Sequence, residues 1–147
     1  MLSIRPAAGT DVDALIAIDH VAVHSTDRRE AIAEWVALGQ CHLAERDGAV
    51  AGYVALTCSF FRSPFIEMLI VGAPHRRTGI GRALIEHCIA LTPSGQKLWT
   101  STNESNAPMR ALLPQLGFEQ TGAFEHLNPG DPELIFLRWP AAEAGAC

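Results

Sequence analysis

The stretch Val71-Gly-Ala-Pro-His-Arg-Arg-Thr-Gly-Ile-Gly-Arg-Ala-Leu84 joins two segments of different periodicity. Before it, residues 65–71 are apolar on both faces except at Glu67, the pattern of a central strand. After it, Ile80, Leu84, Ile85, Cys88 and Ile89 recur at helical spacing until Pro93. Gly79 and Gly81 allow close backbone approach to a ligand, and the first helical N–H groups, from about Gly79 to Arg82, have no intrahelical acceptor. Arg76, Arg77 and Arg82 place positive charge around that helix end. A Gly pair at such a junction is often only a turn, but with strand, helix and arginines together it reads as a phosphate or pyrophosphate site. Two nucleotide motifs are excluded: Leu84 occupies the third glycine position of a dinucleotide fingerprint, and no Gly-Lys-Ser/Thr triplet exists.

Working outward, Leu2 and Ile4 mark a short strand closed by Pro6. Thr10 to Asp13 resembles a helix start, with Val12, Leu15, Ile16, Asp19 and Val23 at helical spacing. A second cap at Ser25, Thr26 or Asp27 precedes Ile32, Trp35, Val36 and Leu38, and Gly39 is a natural stop. Strands are expected over 41–46 and 49–58, joined by the hairpin signal Asp47-Gly48. Residues 59–62 read as an aromatic loop, 97–102 as a strand, and 106–116 as a helix distorted by Pro114 and ended by Gly117. Residues 118–124 and 134–139 close the pattern as two strands around an Asn128-Pro-Gly-Asp131 turn.

The 147 residues, 48% hydrophobic and 18% charged, suit one folded unit over residues 1–140, with a frayed tail over 141–147. A net charge of −5 argues against general binding of nucleic acid or anionic membrane. Every basic residue except Lys97 is Arg, and Tyr53 is the sole tyrosine. Cys41, Cys58, Cys88 and Cys147 are scattered without metal-ligand spacing, so no metal site is expected and they read as buried thiols of a reducing compartment. No signal peptide or membrane span is evident, and a cytoplasmic location is expected.

The loop resembles the acyl-CoA motif of the GNAT superfamily of N-acyltransferases, Arg/Gln-x-x-Gly-x-Gly/Ala. Asn106-Ala-Pro-Met-Arg-Ala-Leu-Leu-Pro-Gln-Leu-Gly-Phe-Glu119 resembles its second motif, and the order of elements matches over almost the whole chain. The resemblance implies an α/β (α+β) fold: a mixed, mostly antiparallel sheet of about seven strands flanked by four helices, splayed between the fourth and fifth strands. It also implies acetyl-CoA as the donor. Backbone N–H groups of Arg77, Thr78, Gly79, Ile80, Gly81 and Arg82 would hold the pyrophosphate, with the Arg76 and Arg82 side chains reaching phosphates or facing solvent. Leu69, Ile70 and Val71 would pair with the pantetheine arm, and Asn106 would bond it from across the splay.

Acyl transfer to an amine requires a free nitrogen lone pair, so a base must remove a proton. Glu67, alone in an apolar strand and where the family often places a catalytic Glu, is that candidate. Family members commonly protonate the departing thiolate with a Tyr in the second motif. Here that position is Leu113; Ser105, water or the product amine remain as donors. Acceptor-contact candidates are His24 to Arg28, Ser59 to Arg62, and Glu125, His126, Asn128 and Asp131, each also readable as a loop or cap residue. Trp35, Trp99 and Trp139 read as core or strand packing, and Cys58 and Cys88 as buried packing. The expected reaction is transfer of acetyl from acetyl-CoA to a primary amine by direct attack in a ternary complex. The alternatives are an inactive CoA-binding sensor, which Leu113 motivates, and a protein N-terminal or lysine acetyltransferase. A homodimer is compatible with the architecture.

Overall fold

Strand-forming segments with apolar residues on alternating faces assemble here into one mixed sheet, in a computed structural model that describes residues 1–141. The strands are β1 (Leu2–Pro6), β2 (Cys41–Arg46), β3 (Ala49–Phe60), β4 (Ser63–Val71), β5 (Leu98–Asn103), β6 (Phe118–Phe124) and β7 (Glu133–Arg138). Their order is β1-β2-β3-β4-β5-β7-β6, antiparallel throughout except for the parallel β4–β5 pair. The helices are α1 (Val12–Ile18), α2 (Thr26–Ala37), α3 (Ile80–Leu91) and α4 (Ala107–Gln115). The mixed sheet with four helices is the architecture expected from the sequence. Of the tail expected over 141–147, residues 142–147, the expected buried thiol Cys147 among them, lie outside the described residues.

Two cores sandwich the sheet. Leu15 of α1 and Ile32, Trp35 and Val36 of α2 pack on Cys41, Leu43, Tyr53 and Ala55 on one face. On the other, Ile80, Leu84, Ile85 and Cys88 of α3 and Leu113 of α4 pack on Ala44, Val54, Leu134 and Phe136. Gly52 lets α3 come close: a Cβ there would lie 2.7 Å from the Ile70 carbonyl oxygen and 3.2 Å from the Ile80 side chain.

Several boundaries differ from the sequence expectations, each for a local reason. α1 stops at Ile18 because the buried Asp19 carboxylate accepts from the Val21 and Ala22 N–H groups at 2.9 and 3.2 Å, turning the chain into a short 3-10 turn. Val23 therefore lies outside the helix. The expected 59–62 loop is shorter: β3 runs to Phe60 and β4 begins at Ser63, leaving Phe61 and Arg62 as a two-residue turn with both φ positive, 52° and 62°. Cys41 and Cys88 are buried thiols, whose burial raises each pKa to about 12, but Cys58 is exposed on β3. Trp139 is also outside the core, its Nε1 donating to Glu119 and its ring under the Lys97 ammonium at 4.7 Å.

Candidate functional site

The site begins where β4 and β5 stop pairing. Only Phe65↔Trp99 and Ile66↔Thr100 are in register, after which residues 67–71 of β4 and 101–103 of β5 continue without registered pairing. The Thr100 hydroxyl closes the last pair by donating to the Ile66 carbonyl at 3.1 Å. Beyond that point the C-terminal ends of two parallel strands open a crevice, the place where α/β sheets bind ligands. Leu69, Ile70 and Val71 form the β4 side of it, and Gly72 leads on to the loop before α3.

Glu67 stands at the mouth of that opening. Across from it on β3, Ala55 pairs with Met68 and Leu56 with Ile66, so Glu67 is the extra residue of a β-bulge. Its Oε1 accepts from the Ser59 hydroxyl at 2.7 Å and the Thr57 hydroxyl at 3.0 Å. Those two hydroxyl oxygens lie 2.9 Å apart, and the Ser59 N–H donates to Thr57 Oγ1 at 3.3 Å. Thr57 continues the face of Tyr53 and Ala55, which packs against α1 and α2. The half-buried carboxylate therefore lies on the α1–α2 side of the sheet, one oxygen fixed by two donors.

The loop and first turn of α3 form the second part of the site. Gly79 takes φ +86° as the helix N-cap, and Arg77 before it also has positive φ, +63°. The first bond of the helix runs from the Ala83 N–H to the Gly79 carbonyl at 3.0 Å, so the N–H groups of Ile80, Gly81 and Arg82 have no acceptor within the helix. A Cβ at Gly79 would meet nothing within 4 Å, and one at Gly81 only the Leu69, Val71 and Leu112 side chains at 3.9 Å or more. This open, amide-lined end suits a diphosphate. The arginines around it are partly committed. Arg76 Nε lies 3.5 Å from the Val71 carbonyl oxygen, while Arg82 bonds Gln115 and lies 3.8 Å from Glu86. Thr78 turns its hydroxyl back to the His75 carbonyl.

Sequence reasoning missed Arg46, on β2, whose guanidinium reaches the Thr78 carbonyl at 3.3 Å and adds a cation to the loop. No local motif marks it; only the β2–α3 packing brings it there. Asn106 is the N-cap of α4, its Oδ1 accepting from the Met109 N–H at 3.3 Å, so the oxygen of its amide is committed to the helix. Leu113 is buried in the core, leaving no hydroxyl at that helical position. Ser105 is exposed and donates its hydroxyl to Asp131 at 2.6 Å, which ties the β5–α4 connection to the β6–β7 turn.

The α1–α2 connection uses its polar residues structurally. Ser25 caps α2 through the Arg28 N–H, and Arg29 bonds the Ala22 and Val23 carbonyls and the Thr26 hydroxyl. Asp19 Oδ2 accepts from the Tyr53 hydroxyl at 2.7 Å and from Arg28 Nη1 at 3.0 Å. Burial opposes ionisation of Asp19, but bonds from Tyr53, the Ala22 N–H, Arg28 and the Val21 N–H outweigh it and lower its pKa. Burial first, then the hydrogen bond to Asp19 and its charge, push the Tyr53 phenol well above its ordinary range. Among the described residues no group of three or more His, Cys, Asp or Glu could hold a metal ion.

Comparison with known proteins agrees with this geometry. The acetyltransferase (GNAT) family model matches residues 10–118. The peptidyl-lysine N-acetyltransferase YjaB of Escherichia coli is 32% identical over 98 residues, covering 67% of this chain and 57% of that protein. The match thus spans less than two thirds of that relative's length. A GNAT-family acetyltransferase structure from Bacillus cereus superposes with a TM-score of 0.87 at 30% identity, covering 97% of this chain and 99% of that one. The ribosomal-protein-S18-alanine N-acetyltransferase of Escherichia coli shares the fold, with a TM-score of 0.79 at 21% identity and coverage of 98% and 97%.

Proposed function

This chain belongs to the GNAT acetyltransferase family, and from that premise we propose that it transfers an acetyl group from acetyl-CoA to a primary amine by direct attack within a ternary complex. The observation that carries this reading is the Glu67 carboxylate, held by Thr57 and Ser59 on the α1–α2 side where β4 and β5 part. The residues present fit the donor. The open N–H groups at the start of α3, with Arg46, Arg76 and Arg77 nearby, would hold its diphosphate. The free edge of β4 at Leu69, Ile70 and Val71 would pair with its amide-bearing arm, and Asn106 would donate to it from the other side. Acetyl-CoA supplies an activated thioester carbonyl as the electrophile.

The chain's own part is positioning and proton removal. An ammonium arriving from the α1–α2 side meets Glu67, which takes its proton directly or through one water and frees the lone pair. With Leu113 buried, no tyrosine supplies a proton to the departing thiolate; the proton released by the amine or solvent serves instead. The test is thiol release from acetyl-CoA across a panel of amines, with Glu67→Gln alongside. The reading expects loss of kcat by about 10²–10³-fold at pH 7 with CoA affinity kept. Unchanged turnover in that variant would overturn Glu67 as the base, and CoA binding with no transfer to any amine would favour a CoA-binding sensor.

A second reading, with the amine on a lysine side chain or a protein N-terminus, is favoured by the printed names of the YjaB and S18-alanine relatives. Lysine peptides therefore belong in the same panel.

A further inference from the structure

We propose that the acceptor is a small primary amine carrying an aromatic or bulky aliphatic group, which lies in an open apolar groove beside Glu67. This rests on the acetyl-transfer reading above and names its substrate class. α1 and α2 cover the β1–β4 half of the Glu67 face. On the same face of β5, β7 and β6 the residues form a cavity of about 450 Å³ instead. Phe60, Phe61, Trp99, Phe124 and Ile135 form its apolar walls, Ser63 and Thr121 also line it, and among the described residues no charged side chain does.

The cavity adjoins the residues that hold the carboxylate. Phe60 follows Ser59, the 2.7 Å donor to Glu67, and Phe65 lies two residues before Glu67 on β4. Phe65 pairs with Thr57, the other donor, and is in register with Trp99. The rings close the link: Phe60 stacks on Phe65 at 5.2 Å, tilts against Trp99 at 5.2 Å, and meets Phe61 edge-on at 4.9 Å. Phe61 is 84% exposed and Phe124 46% exposed, so apolar surface faces solvent at the rim of the cavity. The acidic group at one end complements an ammonium, and the uncharged, mostly apolar walls complement an apolar body. A second amine, a carboxylate or a phosphate on the substrate would find no charged partner there. The volume is that of a small-molecule site.

Gly122 provides the test. It pairs with Ile135 on β7, so its side-chain direction is that of the groove; a Cβ there would meet nothing within 4 Å, and its φ is not in the left-handed region. Gly122→Leu therefore fills the groove without backbone strain. With the full chain and acetyl-CoA, 2-phenylethylamine and isoamylamine are expected to exceed ethanolamine and putrescine in kcat/KM by about 30–100-fold, from burial of the apolar group. In Gly122→Leu, KM for 2-phenylethylamine is expected to rise about tenfold or more, while KM for ethanolamine and for acetyl-CoA stays put. Phe124→Ala should raise it severalfold.

Equal or better use of ethanolamine, putrescine or a polar lysine peptide would overturn the inference and leave acetyl transfer standing. So would a stable dimer in sedimentation that Gly122→Leu dissociates, because a second copy would then occupy the face. Should no amine be acetylated, the transfer reading fails, and tryptophan fluorescence decides the groove. Saturable quenching by 2-phenylethylamine, lost in Gly122→Leu, supports it; no quenching overturns it.

Discussion

Replacing Asp19 by Asn should destabilise the protein by about 2–4 kcal/mol, and the structure shows where that figure comes from. The Asp19 side chain is fully buried and accepts four bonds, from the Val21 and Ala22 N–H groups at Oδ1 and from Tyr53 and Arg28 at Oδ2. An Asn oxygen can keep the two backbone bonds. Its NH₂ group then faces the Arg28 guanidinium, donor against donor, and only the Tyr53 hydroxyl can turn to accept from it. Removing one member of a buried ion pair costs about 3–5 kcal/mol. Arg28, 19% exposed, can recover some hydration, which brings the estimate down. For a chain of this size the loss corresponds to a Tm lower by roughly 5–15 °C. Urea unfolding of the wild type and Asp19→Asn between pH 3 and 8 is the assay. The Asp19 pKa is lowered in the folded state, so its contribution is present above the unfolded value of about 3.9 and lost as pH falls through the folded value. The gap between the two proteins should therefore begin to close below about pH 4 and keep shrinking as the pH falls further. A difference under about 1 kcal/mol at pH 7, or one that does not shrink in acid, would refute the assignment of this network as a charged, buried tie.

Three further outcomes are expected. Tyr53→Phe should lose about 1–3 kcal/mol by urea unfolding, since it removes one donor to a buried carboxylate that Arg28 still holds. Gly52→Ala should cost about 1–3 kcal/mol through overpacking, and it should weaken CoA binding by calorimetry because the Cβ pushes on Ile70 and α3 together. His42 Nδ1 and His87 Nε2 lie 3.1 Å apart, and burial lowers both pKa values, His42 further by the neighbouring ring. The native state thus binds fewer protons than the unfolded chain, so stability should fall as pH drops below about 6.5, and His87→Gln should reduce that slope in urea titrations.

The sheet, the hairpin at Asp47-Gly48 and the strand-loop-helix around Gly79 and Gly81 were legible because each has a local signature in period or turn chemistry. Arg46 and Thr57 were not, and Ser59 was read as an acceptor contact rather than a donor to Glu67, since these roles arise from cross-strand placement that no window of sequence contains. Asp19 misled for a different reason. Its position fits the helical period of α1, yet its carboxylate competes for the next N–H groups and ends the helix. Phe61-Arg62 carries no Gly or Asn, so a tight turn with positive φ was hidden within an aromatic run.

The orientation of Glu67 shows how one backbone irregularity can decide chemistry. Strict alternation would put residues 67, 69 and 71 on a common face, and Leu69 and Val71 pack toward α3 and α4. Ile66 packs on that same side, whereas Met68 and Ile70 pack toward α1 and α2. Two alternating sets therefore meet out of phase, and the slip falls on Glu67, where Ala55 and Leu56 of β3 pair with Met68 and Ile66. Were Glu67 opposite Leu56 in place of Ile66, its carboxylate would point into the apolar layer beneath α3, among Ile80 and Leu84, with no hydroxyl partner there. In the bulge it follows Ile66 in alternation, shares a face with Met68, and reaches Thr57 and Ser59 there. The bulge also marks the last residues of β4 that pair with β5, so the same local slip coincides with the opening of the crevice. Because residues 65–71 are apolar on both sides, nothing in their pattern records the change of phase. A single-residue deletion at Ile66 should therefore place Glu67 opposite Leu56, turn its carboxylate away from the acceptor side and abolish transfer, whereas deletion of Met68 should leave it opposite Ala55 on that side. Shortening the β6–β7 turn, which leaves that phase intact, should spare the carboxylate.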